Sequence, residues 1–387
     1  MADHARLLDV EGLQGLINVL CARGYTVVAP TVRAGAIVHG SVTSVDELPR
    51  GWGDEQDAAH YRLRRREDDA FFGYAASPQA AKPVMFPAEE LIWRGRRDGD
   101  GFTIEQGKPD SAPVALLGVR SCDLNALDIH DAVLAKRGFV DVRYAARRAD
   151  SLVISVACGS PAGTCFCVSM GTGPRPQSGF DLSLTELLDG GRHEFLVEVG
   201  TERGGELLAE VPARDAADAD VLAAEAVVAD AAQRMGRTLD TDGLREVLYA
   251  NAESPLWDEV ASRCLACTNC TLVCPTCFCT SVQDTADLTA TTAERHRVWD
   301  SCFTEEFAYI HGGSLRKDVS ARYRQWLTHK LGSWVDQFGT SGCVGCGRCI
   351  TWCPAAIDIT AEAAALRGTP PPPPAVPDTF QPTGSPA

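Results

Sequence analysis

Two cysteine runs near the carboxyl end of this 387-residue chain constrain its fold more than any other feature. They read Cys264-Leu-Ala-Cys267-Thr-Asn-Cys270-Thr-Leu-Val-Cys274-Pro275 and Cys343-Val-Gly-Cys346-Gly-Arg-Cys349-Ile-Thr-Trp-Cys353-Pro354. Each has the spacing C-x2-C-x2-C-x3-C-P, which is typical of ligands to a [4Fe–4S] cluster. Three closely spaced thiolates can wrap one face of the cluster, and the proline turns the chain away after the fourth. Two complete copies predict two clusters, whereas structural zinc favours separate C-x2-C pairs.

The runs also predict how the ligands are shared. In two-cluster ferredoxins the fourth cysteine of each run binds the other cluster. We therefore expect one cluster on Cys264, Cys267, Cys270 and Cys353, and a second on Cys343, Cys346, Cys349 and Cys274. The alternative is that each run binds its own cluster, with the same eight ligands. Arg348 lies inside the second run, where it either raises the potential of the nearby cluster or is a solvated surface side chain.

Further cysteines form a compact group in the first half of the chain. Cys158, Cys165 and Cys167 follow a predicted strand, at the end where sites in α/β sheets gather. They could supply most of a third iron–sulfur site, completed by Cys122, Cys277, Cys279 or Cys302. Their spacing matches no standard ligand run, so redox-active thiols and structural cysteines are alternatives. Cys21 fits the apolar face of a helix and is predicted to lie in the core.

Hydrophobic patterning predicts an α+β protein, in which an N-terminal α/β domain precedes an α-helical ferredoxin-like domain that holds two [4Fe–4S] clusters. Strands over 114–119 and 151–157, joined by a helix over 124–136 with Asp123 as its N-cap, predict a parallel βαβ unit. The segment 279–342 is predicted to be largely helical. The predicted domains are 1–220, which includes the cysteine-rich loop, 221–366, and a disordered proline-rich tail, 367–387.

Composition limits the classes of partner and the compartment. A net charge of −16 disfavours binding to nucleic acid and to anionic membranes. No apolar run approaches the ~20 residues that a membrane span needs, and no secretory signal begins the chain. Sixteen cysteines, half of them in the two runs, predict a reducing compartment and hence the cytoplasm. Nucleotide-binding and catalytic motifs are absent from the sequence, so no catalytic residue is predicted.

With these residues in hand, the chain resembles the β subunits of cytoplasmic NAD(P)-linked sulfhydrogenases, which are nickel–iron hydrogenases. It is equally similar to the electron-transfer iron–sulfur subunit of anaerobic sulfite reductase, which belongs to the same family of dicluster proteins. The resemblance extends from about residue 5 to 365. It rests on the two cluster runs with their long separation, on Gly118-Val-Arg120-Ser-Cys122-Asp123, and on the Thr-Cys-Phe-Cys strings at 164–167 and 276–279.

This resemblance implies an electron-transfer subunit of a larger complex. A flavin subunit would exchange electrons with NAD(P)H, and this chain would relay them to a nickel–iron hydrogenase subunit or to a sirohaem sulfite reductase subunit. One competing hypothesis is a redox enzyme that acts on sulfur or a disulfide through its N-terminal cysteines. Another is a structural adaptor whose clusters only brace the fold. The sequence does not distinguish the hydrogenase complex from the sulfite reductase complex.

Overall fold

The computed structural model describes residues 5–99, 101–107, 113–289 and 291–368. Strands dominate the N-terminal region. They are β1 (Arg6–Asp9), β2 (Thr26–Arg33), β3 (Ala36–Ser41), β4 (Trp52–Asp57), β5 (His60–Arg65), β6 (Glu89–Asp98), β7 (Gly101–Gln106), β8 (Val114–Val119), β9 (Leu152–Val156), β10 (Leu182–Asp189), β11 (Arg192–Val199) and β12 (Arg214–Asp215). The helices of this region are α1 (Val10–Ala22), α2 (Lys82–Met85), α3 (Ser121–Leu134), α4 (Val142–Asp150), α5 (Glu202–Ala209) and α6 (Asp218–Gln233).

Most of these strands form one mixed sheet of eight, in the order β12-β1-β11-β10-β9-β8-β2-β3. The four central strands, β10, β9, β8 and β2, pair in parallel. The outer strands pair antiparallel. Parallel neighbours need a crossover connection, and α3 and α4 supply it between β8 and β9. The predicted βαβ unit with its parallel pair of strands is confirmed.

The centre of this sheet is buried on both faces. Successive side chains of β8 point to opposite sides, as the period of a strand requires. Leu117 packs in the core that contains Leu16 of α1 and Leu207 of α5. Leu116 packs on the other face, in the core that contains Leu127 of α3 and Tyr144 of α4. Burial on two faces explains why β8 and β9 are apolar runs without alternation.

The start of α3 differs from the sequence prediction. Asp123 is not the N-cap, because α3 begins at Ser121 and Arg120 occupies the N-cap position with an extended backbone. Asp123 instead lies in the first helical turn, where it is 2% exposed. Its carboxylate accepts a hydrogen bond from Arg348. The physical reason is that a buried guanidinium is a stronger partner for the carboxylate than a helix amide.

The C-terminal region is mostly helical but includes strands. Its elements are α7 (Leu244–Ala250), α8 (Leu256–Arg263), α9 (Asn269–Leu272), β13 (Thr280–Ala286), β14 (Thr292–Trp299), β15 (Tyr309–Ile310), β16 (Gly313–Ser314), α10 (Val319–Thr328), a π-helical turn (His329–Ser333), α11 (Trp334–Phe338), α12 (Arg348–Thr351) and α13 (Ile359–Leu366). No helix in the described ranges is long and apolar enough to cross a membrane.

The first part of the segment 279–342 forms strands, so the prediction that this segment is largely helical is wrong there. β13 and β14 form an antiparallel hairpin, and β14 pairs with β6 of the N-terminal region. The resulting sheet has the order β13-β14-β6-β7. Most residues of β13 are exposed, and those of β14 are all half-buried. The strands therefore lack the apolar alternation by which a half-buried strand is recognised in a sequence.

The two regions are joined by more than the chain connection. The sheet β13-β14-β6-β7 contains strands from both of them. The predicted boundary at residue 220 falls inside α6, which packs on β10 and β11 of the large sheet. The division into 1–220 and 221–366 stays a prediction. The predicted tail, 367–387, lies outside the described residues from 369 onwards.

Gly118 sets the path from β8 into α3. Its φ is +85°, and a Cβ added there would lie 2.8 Å from Cδ of Pro30 on β2. The register of β8 against β9 shifts at this residue. Only glycine combines a left-handed backbone with so close an approach of a neighbouring strand.

We expect Gly118→Ala to destabilise the protein, because the added methyl group meets both an unfavourable φ and the Pro30 ring. Gly35→Ala is the matched control, since Gly35 also has a positive φ, +74°, but no described atom lies within 4 Å of its added Cβ. Gly118→Ala should lower the free energy of unfolding by about 1–3 kcal/mol more than the control. Urea unfolding followed by circular dichroism measures both. An equal loss of unfolding free energy in Gly118→Ala and Gly35→Ala would contradict the role of the Pro30 contact.

Candidate metal centres

Five cysteines from the two runs line one cavity in the C-terminal region: Cys264, Cys267, Cys270, Cys349 and Cys353. Cys264 follows α8, Cys267 precedes α9 and Cys270 lies in it. Cys349 lies in α12 and Cys353 follows it. The wall of the cavity is completed by three aromatic side chains, those of Phe303, Tyr323 and Trp326. The cavity thus brings three cysteines of the first run together with the last two of the second, Cys349 and Cys353.

Cys349 also lies near Cys274, Cys343 and Cys346, and these four cysteines form a neighbouring group. Burial, followed by the charges on Cys343, Cys346 and Cys274, raises the pKa of Cys349 well above its ordinary value. The same thiol also feels the charge on Cys270 of the first group. Cys274 and Cys343 are buried, and Cys346 and Cys349 are partly buried. The two groups therefore lie side by side, and each draws on both runs.

Both runs have the same backbone geometry around their first cysteine. The third and fifth residues of each run have positive φ; they are Ala266 and Thr268 in the first run and Gly345 and Gly347 in the second. In both runs the N–H of the third residue donates to the Sγ of the first cysteine at 3.4 Å. Such N–H···S hydrogen bonds stabilise thiolate charge and tune the potential of a bound cluster.

The second run has glycines at these positions because it packs on the cysteine-rich loop of the N-terminal region. A Cβ on Gly345 would lie 2.6 Å from the carbonyl oxygen of Phe166. A Cβ on Gly347 would clash with the backbone of Thr164. The first run carries alanine and threonine at the same positions, so the close packing is specific to the second run.

The spacing of these thiols fits a cluster better than a single metal ion. Among the described residues, no three His, Cys, Asp or Glu side chains come close enough together to share one ion. A tetrahedral zinc site needs ligand sulfurs that are each about 2.3 Å from one metal. A [4Fe–4S] cluster holds its four thiolates at separate irons and so farther apart. Four thiols facing a common cavity have the donor chemistry that such a cluster requires.

Lys330 is a buried cation beside the second group that no sequence pattern predicted. Its Nζ donates to Cys274 Sγ at 3.3 Å, to Thr276 Oγ1 at 3.0 Å and to the Gly342 carbonyl oxygen at 3.3 Å. A hydrogen bond from Cys277 and then the charge on Lys330, against the effect of burial, hold the pKa of Cys274 well below its ordinary value. The one sequence signal was a lysine between two tryptophans, Trp326 and Trp334.

Lys82 is a second buried cation near Cys274. Its Nζ donates to the Cys274 carbonyl oxygen at 3.2 Å and lies 3.9 Å from the centre of the Trp299 ring. The residue comes from α2 in the N-terminal region, so no local sequence pattern connects it with the cluster run. Lys82 and Lys330 together place two positive charges around Cys274, where they compensate negative charge on its sulfur.

Three of the candidate cysteines for a third site lie on this side of the molecule. Cys277 donates to Cys274 and lies 3.5 Å from Lys330 Nζ. The hydrogen bond from Cys302 lowers the pKa of Cys279 to about 7. The same hydrogen bond raises the pKa of Cys302, and burial raises it further. Cys277 thus lies beside Cys274 and Lys330, and Cys279 and Cys302 pair with each other. None of the three lines the cavity of Cys158, Cys165 and Cys167.

Arg348 is buried, and its interpretation as a solvated surface side chain is wrong. It is 1% exposed, and its Nη2 donates to the Asp123 carboxylate at 2.9 Å. Its Nε donates to the carbonyl oxygen of Ser77. The physical reason is that α12 packs into the N-terminal region instead of facing water. Because the guanidinium is paired with a carboxylate, its effect on a nearby cluster is weaker than that of an unpaired cation.

The structure groups the remaining candidates, Cys122, Cys158, Cys165 and Cys167, around a separate cavity. Burial raises the pKa of Cys167 to about 12 and that of Cys165 well above its ordinary value. Reactive thiols are typically more exposed and have a lowered pKa. This disfavours a redox enzyme that uses these cysteines. Cys21 is exposed at the end of α1, so the prediction that it lies in the core is wrong.

We expect Lys330→Met to lower the reduction potential of a cluster bound through Cys274, because the buried cation stabilises the more negative, reduced state. A hydrogen bond to a charged group contributes about 1.5 kcal/mol or more, which corresponds to a fall of about 60 mV for one electron. Redox titration followed by electron paramagnetic resonance (EPR) measures the potential. Lys317→Met is the control, since Lys317 is exposed. An unchanged potential in Lys330→Met would refute the role of this cation.

Asp123→Asn should destabilise the protein strongly, because it leaves the Arg348 guanidinium buried without a charged partner. Breaking a buried ion pair on one side costs about 3–5 kcal/mol. The control is Asp284→Asn, which breaks an exposed ion pair with Arg295 and should leave stability unchanged. Thermal unfolding of the anaerobically purified chain compares the two variants. Similar melting temperatures would contradict the importance of the buried pair.

Comparison with known proteins agrees with this geometry. Residues 263–357, which contain both cysteine runs, match the sequence model of the 4Fe-4S dicluster domain. The chain is 35% identical over 264 residues to sulfhydrogenase 2 subunit beta of Pyrococcus furiosus, which covers 67% of this chain and 73% of that protein. No solved structure matches the chain significantly. The resemblance predicted from the sequence is confirmed, and the chain belongs to the family of sulfhydrogenase β subunits.

Proposed function

We propose that this chain is the iron–sulfur electron-transfer subunit of a hydrogenase complex. The observation that carries the proposal is that the cysteines of the two runs lie together in two adjoining groups, with Cys349 near both. One [4Fe–4S] cluster would be held by Cys264, Cys267, Cys270 and Cys353, and the other by Cys274, Cys343, Cys346 and Cys349. When bound, such clusters accept and donate single electrons, which is the chemistry that a relay needs.

The side chains and backbone amides around the two groups would determine the reduction potentials of both clusters. Phe303, Tyr323 and Trp326 form an apolar wall that keeps water from the first group. Lys330 and the amides of the two loops provide positive charge and hydrogen-bond donors to the sulfurs. Burial favours the less charged form of a cluster and buried donors favour the more negative form, so their balance sets the potential.

The first group is the better candidate for contact with a partner subunit. Cys267 is exposed, and Leu265 beside it is 68% exposed, so this cavity lies at the molecular surface. The second group lies behind it, between the first group and the N-terminal region. We infer that electrons cross to or from a partner near Leu265. The partners would be a flavin subunit that uses NAD(P)H and a nickel–iron catalytic subunit, and the complex would be cytoplasmic.

The relationship to a sulfhydrogenase β subunit favours the hydrogenase complex over the sulfite reductase complex. Cys122, Cys165 and Cys167 of the N-terminal group are buried, which keeps a substrate from reaching them and supports a carrier over an enzyme that acts on sulfur or a disulfide. The exposed edge of the first group supports a relay over a structural adaptor, because clusters that only brace the fold need no path to the surface.

Crossed sharing of ligands makes a sharp prediction for paired substitutions. Cys267→Ser with Cys353→Ser should damage one cluster and lower the iron content by about four per chain. Cys267→Ser with Cys274→Ser should damage both clusters and lower it by about eight. Iron and acid-labile sulfide are measured on the anaerobically purified full-length chain. The reverse pattern would show that each run binds its own cluster. Cys21→Ser, which changes an exposed cysteine outside both groups, is the control.

The relay itself is tested in the assembled complex. Cys267→Ser should abolish reduction of NAD(P)+ by hydrogen, because the path between the flavin and the catalytic subunit is broken. Reduction of a viologen dye by hydrogen at the catalytic subunit should continue. Cys21→Ser should leave both activities intact. Loss of the viologen activity in an intact complex would place this chain in catalysis, and retention of both activities would exclude it from the path.

A further inference from the structure

A second cysteine-lined cavity lies in the N-terminal region. Cys122 reaches it from the first turn of α3, directly after β8. Cys158, Cys165 and Cys167 reach it from the loop that follows β9. Because β8 and β9 are parallel neighbours, their carboxyl ends meet at the same edge of the sheet. Residues distant in sequence are thereby brought to one cavity.

The thiols of this cavity resemble those of the C-terminal groups in their surroundings. Cys122, Cys165 and Cys167 are each at most 7% exposed. The N–H of Ala162 donates to Cys165 Sγ at 3.4 Å. The first cysteine of each C-terminal run accepts an amide hydrogen bond of the same length. An amide directed at a buried sulfur stabilises that sulfur in its anionic form, which is the form that binds metal.

Arg120 gives independent evidence for an anionic occupant. It lines the cavity and is 2% exposed. Its guanidinium donates to the carbonyl oxygens of Ala157, Phe72 and Tyr74 at 2.8–2.9 Å. Within the described part of the chain its Nε has no acceptor, and no carboxylate forms an ion pair with it. A buried cation is costly without a negative partner, so this arrangement favours a negatively charged group in the cavity.

We infer that Cys122, Cys158, Cys165 and Cys167 bind a third [4Fe–4S] cluster. Four cysteine thiolates are the standard ligand set of such a cluster. Their combined negative charge would be balanced by Arg120 and by the amino end of the 14-residue helix α3. A zinc ion is a poorer occupant, since no three candidate ligands among the described residues converge on a single point.

The position of this cavity places it next to the second C-terminal group. Cys346 lines the cavity together with the N-terminal thiols. Cys165 Sγ lies 3.8 Å from the Cys346 carbonyl oxygen, and the Phe166 N–H donates to the Gly345 carbonyl oxygen at 2.8 Å. A cluster here would extend the electron path into the N-terminal region. That role rests on the proposed relay function, whereas the metal site itself does not.

The iron and acid-labile sulfide content of the anaerobically reconstituted full-length chain tests this inference. We expect about twelve irons, four for each of three clusters. Cys158→Ser and Cys167→Ser, examined separately, should each lower the content by about four. Cys21→Ser should keep the full content, because this cysteine is exposed and lines neither cavity. Mössbauer spectra of chains labelled with ⁵⁷Fe should show the matching loss of [4Fe–4S] signal.

The outcomes separate this inference from the proposed function. About eight irons in the unsubstituted chain would overturn the third cluster and leave the two C-terminal clusters intact. About twelve irons that persist in both N-terminal variants would overturn the ligand assignment. Failure of the two-cluster proposal would appear differently, as an iron content that Cys267→Ser does not change. The count on the unsubstituted chain needs no variant, so it decides the matter even if a substitution prevents folding.

Discussion

The buried ion pair between Arg348 and Asp123 is the interaction on which the arrangement of the metal centres depends. It joins the second cysteine run to the first turn of α3, and neither side chain is more than 2% exposed. Desolvation makes such a pair a poor source of net stability, but losing one partner is costly. The pair therefore acts mainly by fixing position. It holds Gly345 and Gly347 against the cysteine-rich loop, at a distance that only glycine permits.

Positive charge is concentrated around the cysteines of a chain whose net charge is −16. Lys82 and Lys330 lie beside Cys274, Arg348 lies within the second run, and Arg120 lines the N-terminal cavity. All four cations are buried. Arg348 is paired with Asp123, whereas Lys82, Lys330 and Arg120 form no ion pair with a carboxylate in the described part of the chain. Buried cations without negative partners destabilise a fold, and the proposed thiolate-bound clusters would supply the missing negative charge. Metal binding and folding are then coupled, because each cluster compensates charge that the folded chain has already buried.

The sequence predicted those features that depend on local spacing. The C-x2-C-x2-C-x3-C-P runs determine which cysteines approach one another, and the apolar run of β8 indicates a buried parallel strand. Features that depend on long-range packing were not predictable in the same way. Nothing near Arg348 in the sequence identifies Asp123 as its partner, and Lys82 reaches Cys274 from another region. β13 was missed because an exposed edge strand needs no apolar alternation.

An electron relay through the C-terminal region requires that its two cysteine groups hold clusters close enough to interact. Cys349 of the second group lines the same cavity as the cysteines of the first group. The EPR spectrum of the full-length chain, recorded at partial and at complete reduction, tests this most directly. We predict that complete reduction broadens or splits the signal seen at partial reduction, because two neighbouring reduced clusters couple magnetically. A spectrum that is the simple sum of two independent signals, or a chain with no reducible cluster, would contradict the relay.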